Sequence, residues 1–132
     1  MSLLQSYPTE ILVLLFLIVT FLQSGIDKLI DWKGNVSFIK SHFASSPLKN
    51  SVPLLVATIL VLELLASALM IFGIYELLSD GTKTAALLGA ELSALTLILL
   101  LIGQRLAKDY AGAMTLAVYF VTTIIGVYLL SS

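Results

Sequence analysis

The chain has 132 residues, 59% of them hydrophobic and only 11% charged, and that balance excludes a water-soluble domain, whose interior could not hold so much apolar side chain. A net charge of −1 leaves nothing to neutralise phosphates in bulk, so nucleic acid is not a partner. With no cysteine and a single histidine, His42, the chain supplies no disulfide, thiolate or zinc–thiolate chemistry and cannot hold a haem between two of its own histidines.

The first ten residues contain no Lys or Arg and no small-residue cleavage site, so they do not read as a signal peptide. Pro8-Thr9-Glu10 instead opens a helix, with Thr9 as its N-cap and Glu10 in the first turn. This first helix is expected over residues 9–30, apolar through Leu22 and polar at its end. Asp31 to Val52 is then a connection long enough to carry structure of its own. Asn35 can cap a short helix in which Val36, Ile39 and Phe43 share a face and Lys40 turns away. With Trp32 beside it, this segment reads as amphipathic and interfacial. His42 falls in the same segment and reads as an interfacial side chain, not a metal ligand.

Residues 52–74 form a second helix, in which Glu63 is the only ionisable residue and Thr58 and Ser67 are the only other polar groups. About 20 apolar residues at 1.5 Å each cross a ~30 Å hydrocarbon core, so this stretch is long enough to span a membrane. Counted from Val52, Glu63 lies roughly 16 Å in, near the midplane. A carboxylate there is costly and marks a candidate functional site. A third helix is expected over residues 82–104 and a fourth over 109–130. The expected fold is all-α: one domain, an antiparallel bundle of four transmembrane helices with a short interfacial segment between the first two. Six basic residues (Lys28, Lys33, Lys40, Lys49, Arg105 and Lys108) fall on one side of such a bundle and only Lys83 on the other. By the positive-inside rule the long connection is cytoplasmic and both termini face outward, into the periplasm of a bacterial inner membrane.

Three motifs resemble the DoxX-like family of membrane proteins. The end of the first helix, Phe21-Leu22-Gln23-Ser24-Gly25-Ile26-Asp27-Lys28-Leu29, resembles the G-x-x-K-L signature that closes the family's first helix. Leu62-Glu63-Leu64-Leu65, followed by Gly73, is similar to its second helix, and Ala107-Lys108-Asp109-Tyr110-Ala111-Gly112 to the entry of its fourth. The resemblance implies a four-helix inner-membrane protein associated with thiosulfate:quinone oxidoreduction or with redox-protein maturation. Related redox proteins work through cysteine pairs, which this chain lacks.

Two constellations stand out. Counting residues along each helix puts Glu63, Glu91, Tyr119 and Thr20 at similar depth, with Ser67 one turn from Glu63. Small and hydroxyl residues spaced along the first helix (Phe16, Thr20, Gln23, Asp27) and the fourth (Asp109, Gly112, Thr115, Tyr119, Thr122, Gly126) are expected to face inward. With no basic residue nearby, Glu63 and Glu91 would share protons, either as a clasp that fixes helix packing or as a site that orients a lipophilic ligand such as a quinone. The second constellation gathers Gln23, Asp27, Lys28, Asp31, Gln104, Arg105, Lys108 and Asp109 at the cytoplasmic side. It reads as interhelical salt bridges or as a site for an acidic partner or lipid headgroup. Three functions follow: a quinone-linked accessory component without redox groups of its own, working beside an oxidoreductase; a purely structural subunit of a larger membrane complex; or a small proton-coupled exporter. The last ranks lowest, because exporters of this size carry their carboxylate in the first helix, where residues 13–22 hold no acid.

Overall fold

The computed structural model describes residues 7–44, 46, 49–106 and 109–131, with backbone alone at residues 42 and 49. It contains five α-helices: α1 (Pro8–Ile30), α2 (Trp32–His42), α3 (Val52–Ser79), α4 (Thr84–Leu106) and α5 (Tyr110–Ser131), with a 3-10 turn at Lys49–Ser51 ahead of α3. No strand occurs among the described residues. The helices α1, α3, α4 and α5 are each long and apolar enough to cross a membrane, and together they form an antiparallel bundle. The chain is a multi-pass membrane protein.

The packing follows residue size. The α3–α4 pair is the closest, because small residues line it on both sides. A methyl group added at Gly73 would sit 2.5 Å from the Ala86 Cα, and one at Gly89 would sit 2.6 Å from the Met70 side chain. Ala86, Ala90 and Ser93 are fully buried in the same seam. Such small-residue contacts let backbones approach where lipid provides no hydrophobic drive between helices. The α4–α5 and α1–α3 pairs come next, and α1 meets α5 over a shorter stretch. There Gly126 accommodates Val13, and Phe16 packs edge-on against Tyr119 with ring centroids 6.1 Å apart. The core joins Leu14, Leu17 and Phe21 of α1 to Ala66, Met70 and Leu77 of α3 and Leu97 of α4. Large apolar side chains on the outer faces, among them Leu12, Val19, Val61, Phe72, Met114 and Val118, remain exposed, as lipid-facing positions are.

The helix ends depart from the sequence expectation in instructive ways. Pro8, not Thr9, opens α1, because its fixed φ suits the first helical position and it has no N–H to satisfy. Asp31, not Asn35, caps α2. Its backbone N–H closes α1 on the Asp27 carbonyl, while its carboxylate accepts the Gly34 N–H at 3.2 Å. Asn35 instead reaches back and donates to the Asp27 and Asp31 carbonyls, at 3.2 and 2.8 Å. The long connection therefore contains no free loop at its start: α2 follows α1 after a single residue. The Trp32, Val36, Ile39 and Phe43 side chains pack on Val52 and Val56 at the foot of α3, and Lys40 points away.

At the opposite end α3 runs on to Ser79, past the expected stop at residue 74. Gly81, in the left-handed region at φ 78°, then reverses the chain. The Asp80 carboxylate accepts the Thr82 N–H at 3.0 Å and the Thr82 hydroxyl, which holds it below its ordinary pKa. Glu76 stays helical and accepts the Ala85 N–H at 3.2 Å, satisfying one of the open donors at the start of α4.

Candidate functional site

Among the described residues, an ion pair joins α1 to α3 inside the bundle, near one end. Gly25 lets α3 approach α1, since a methyl there would lie 2.8 Å from Leu64. Lys28 stands three residues further along, on the same face of α1. Its ammonium donates to the Glu63 carboxylate at 2.9 Å and to the Ser24 hydroxyl at 2.6 Å, with the Ser24 carbonyl at 3.5 Å. The Ser24 hydroxyl proton is left to point at the Glu63 carboxylate. The Glu63 side chain is 4% exposed and that of Lys28 is 12% exposed. Lys28 also lies in the last turn of α1, where the helix dipole favours a cation. The G-x-x-K spacing thus joins a close approach to a charge.

This geometry corrects the expectation that no basic residue lies near Glu63. The depth count from Val52 assumed that the membrane begins there. α3 has 28 residues, about 42 Å at 1.5 Å each, against a ~30 Å hydrocarbon core. Its first turns are covered by α2 and extend beyond the end of α1. Gly25 faces Leu60 and Leu64, and α1 ends five residues later. Glu63 therefore sits only about 7 Å inside the level at which α1 ends, within reach of a lysine in the last turn.

The midplane constellation does not converge. Glu91 is exposed on the outer face of α4, in a shallow groove lined with Leu69, Leu88, Leu92 and Leu95. Tyr119 is half-buried against Phe16. Thr20 donates to the Phe16 carbonyl at 2.8 Å and Ser67 to the Glu63 carbonyl at 2.7 Å. Ser93, Thr96 and Thr123 likewise donate to the carbonyl four residues back. Each of these hydroxyls spends its proton within its own helix, although Ser93 Oγ also lies 3.6 Å from the Met70 sulfur across the α3–α4 seam. Of the two inward stripes, Gly126 is buried, while Phe16, Gln23, Asp27 and Thr115 are exposed.

The second constellation separates into local contacts. Lys28 leaves it for Glu63. The Arg105 guanidinium stacks over the Tyr110 ring at 5.0 Å. The Asp109 carboxylate accepts the Gly112 N–H at 2.9 Å, an N-cap for α5, with the Gln104 amide close by. Asp31 is engaged as the cap of α2, Gln23 and Asp27 are exposed, and Lys108 lies outside the described residues. The His42 side chain also lies outside what is described. No three metal-ligating side chains come together among the described residues.

Fold and site together define a class: a four-helix, multi-pass membrane protein with a buried lysine–glutamate pair near one end of its bundle. The chain matches no family model, no curated protein and no solved structure.

Proposed function

We propose that this chain is a DoxX-like accessory component of a bacterial inner-membrane oxidoreductase system, with no redox group of its own, that binds a lipophilic carbonyl compound such as a quinone at Ser24, Lys28 and Glu63. The observation that carries this reading is the state of the Lys28 ammonium. Two of its donors are well used, on Glu63 and on Ser24, whereas its contact with the Ser24 carbonyl is long at 3.5 Å. That long third bond is the one a ligand carbonyl oxygen would displace, and Glu63 holds the ammonium in place. A quinone would supply two-electron, two-proton redox chemistry. The protein's part is to fix a headgroup by one charge-assisted hydrogen bond and to hold a proton beside it.

The basic bias of the sequence supports placing α2 and the α4–α5 connection in the cytoplasm, with both termini in the periplasm. In intact cells, an impermeant thiol reagent is expected to label a cysteine placed at Ser79 and to spare one at Ser41. The reverse pattern overturns this orientation.

The functional test is the quinone content of protein purified from native membranes in mild detergent. About one quinone per chain is expected in the wild type and little in the paired substitution Lys28→Met/Glu63→Leu. Equal content in both contradicts quinone binding and favours the second reading, a purely structural subunit. That reading is supported by the same ion pair, which ties α1 to α3.

A further inference from the structure

Glu91 poses a different question from Glu63. It is exposed about a third of the way along a membrane-length helix, among leucines, on the outer face of the α3–α4 pair. It lies seven residues from the start of α4, about 10 Å along the helix axis. A carboxylate facing hydrocarbon is costly unless a counter-charge or a donor covers it. The chain itself offers no cation at that level. Neither α3 nor α5 contains a Lys or Arg, and the single basic residue of α4 is Arg105, in its last turn. Lys83, just ahead of α4, sits over the Tyr7 ring at 5.2 Å. A second copy of the chain brings the same inventory and so cannot supply the missing charge.

We propose that the groove around Glu91 is the docking surface for a transmembrane helix of a different protein, one that presents a lysine or arginine at the depth of Glu91. The leucines on either side supply apolar contact, and the carboxylate supplies partner choice, since a helix without the cation would leave it uncovered. The groove has a volume of about 310 Å³ and opens onto the outer face of the bundle. This inference names the contact surface of the accessory reading above and rests on that reading only for the existence of a membrane partner.

The test uses the full chain reconstituted in lipid vesicles, with an acceptor dye on a cysteine placed at Ser79, and donor-labelled Leu/Ala transmembrane peptides. The peptides carry one Lys at three successive depths or Leu throughout. The expected result is that one Lys peptide associates at least tenfold more tightly than the Leu peptide, and that Glu91→Gln and Glu91→Leu each abolish the difference. Helical circular dichroism checks that both variants are folded, and quinone content is expected to be unchanged in them. Equal binding of Lys and Leu peptides overturns the proposal. So does Glu91-dependent energy transfer between two copies of the chain, which would make the occupant a second copy. Glu91-dependent binding of tetraphenylphosphonium with no preference for the Lys peptide would make it a small lipophilic cation, and also overturns the proposal.

Discussion

The α1–α3 seam and the outer face of the α3–α4 pair each set one carboxylate among apolar side chains. In the seam, Glu63 is enclosed, and the chain supplies its counter-charge from the neighbouring helix at 2.9 Å. On the outer face, Glu91 is left open, and the α4 surface around it is leucine. The first arrangement satisfies its charge within one chain. The second leaves that task to a partner. A single acid in an apolar run therefore has two meanings, and which holds depends on whether a basic residue stands near enough on an adjacent helix.

The comparison breaks first at the seam. Glu63→Gln or Lys28→Met removes one member of a buried pair and leaves the other uncompensated, with an expected loss of roughly 3–5 kcal/mol. Denaturant unfolding in detergent measures it. If Glu63→Gln is neutral, Glu63 is a shared-proton clasp and not half of an ion pair. Next comes Gly73→Ala, which presses a methyl onto the Ala86 backbone and is expected to cost about 1–3 kcal/mol by the same measurement. Full stability there would mean that α3 and α4 are not in close contact. Asp31→Ala removes the cap that joins α1 to α2 and is expected to cost about 1 kcal/mol, with faster amide exchange confined to the first turn of α2. Smallest is Glu91→Gln, expected within about 0.5 kcal/mol of wild type in the isolated chain because the side chain touches nothing that depends on its charge. A loss of several kcal/mol would show that Glu91 has an internal partner and would remove the contrast between the two regions.

The fold was legible in the sequence because membrane helices announce themselves by length and hydropathy, and all four lie within a few residues of where those signals put them. Helix ends were less so. Turn chemistry at Asp31 and Gly81, not hydropathy, decides where α1 stops, where α2 starts and where α3 stops. Glu63 itself was legible as a lone carboxylate in hydrocarbon. Its partner was not, because counting depth from Val52 treated the foot of α3, which lies under α2, as membrane. The signal was nonetheless present: Gly25 and Lys28 share a face, and among the membrane-length helices Lys28 is the basic residue set furthest inside a helix end. The convergence of hydroxyls at midplane failed for a local reason that residue types do not reveal, since each hydroxyl can equally bond four residues back along its own helix.

The central claim is that Lys28 and Glu63 stabilise the bundle as a pair, and a double-substitution cycle tests it most directly. Unfolding free energies are measured in one detergent for wild type, Lys28→Met, Glu63→Leu and the two combined. The account predicts that the double variant is much less destabilised than the sum of the singles, with a coupling of about 2 kcal/mol or more. Losses that add within about 0.5 kcal/mol would contradict it.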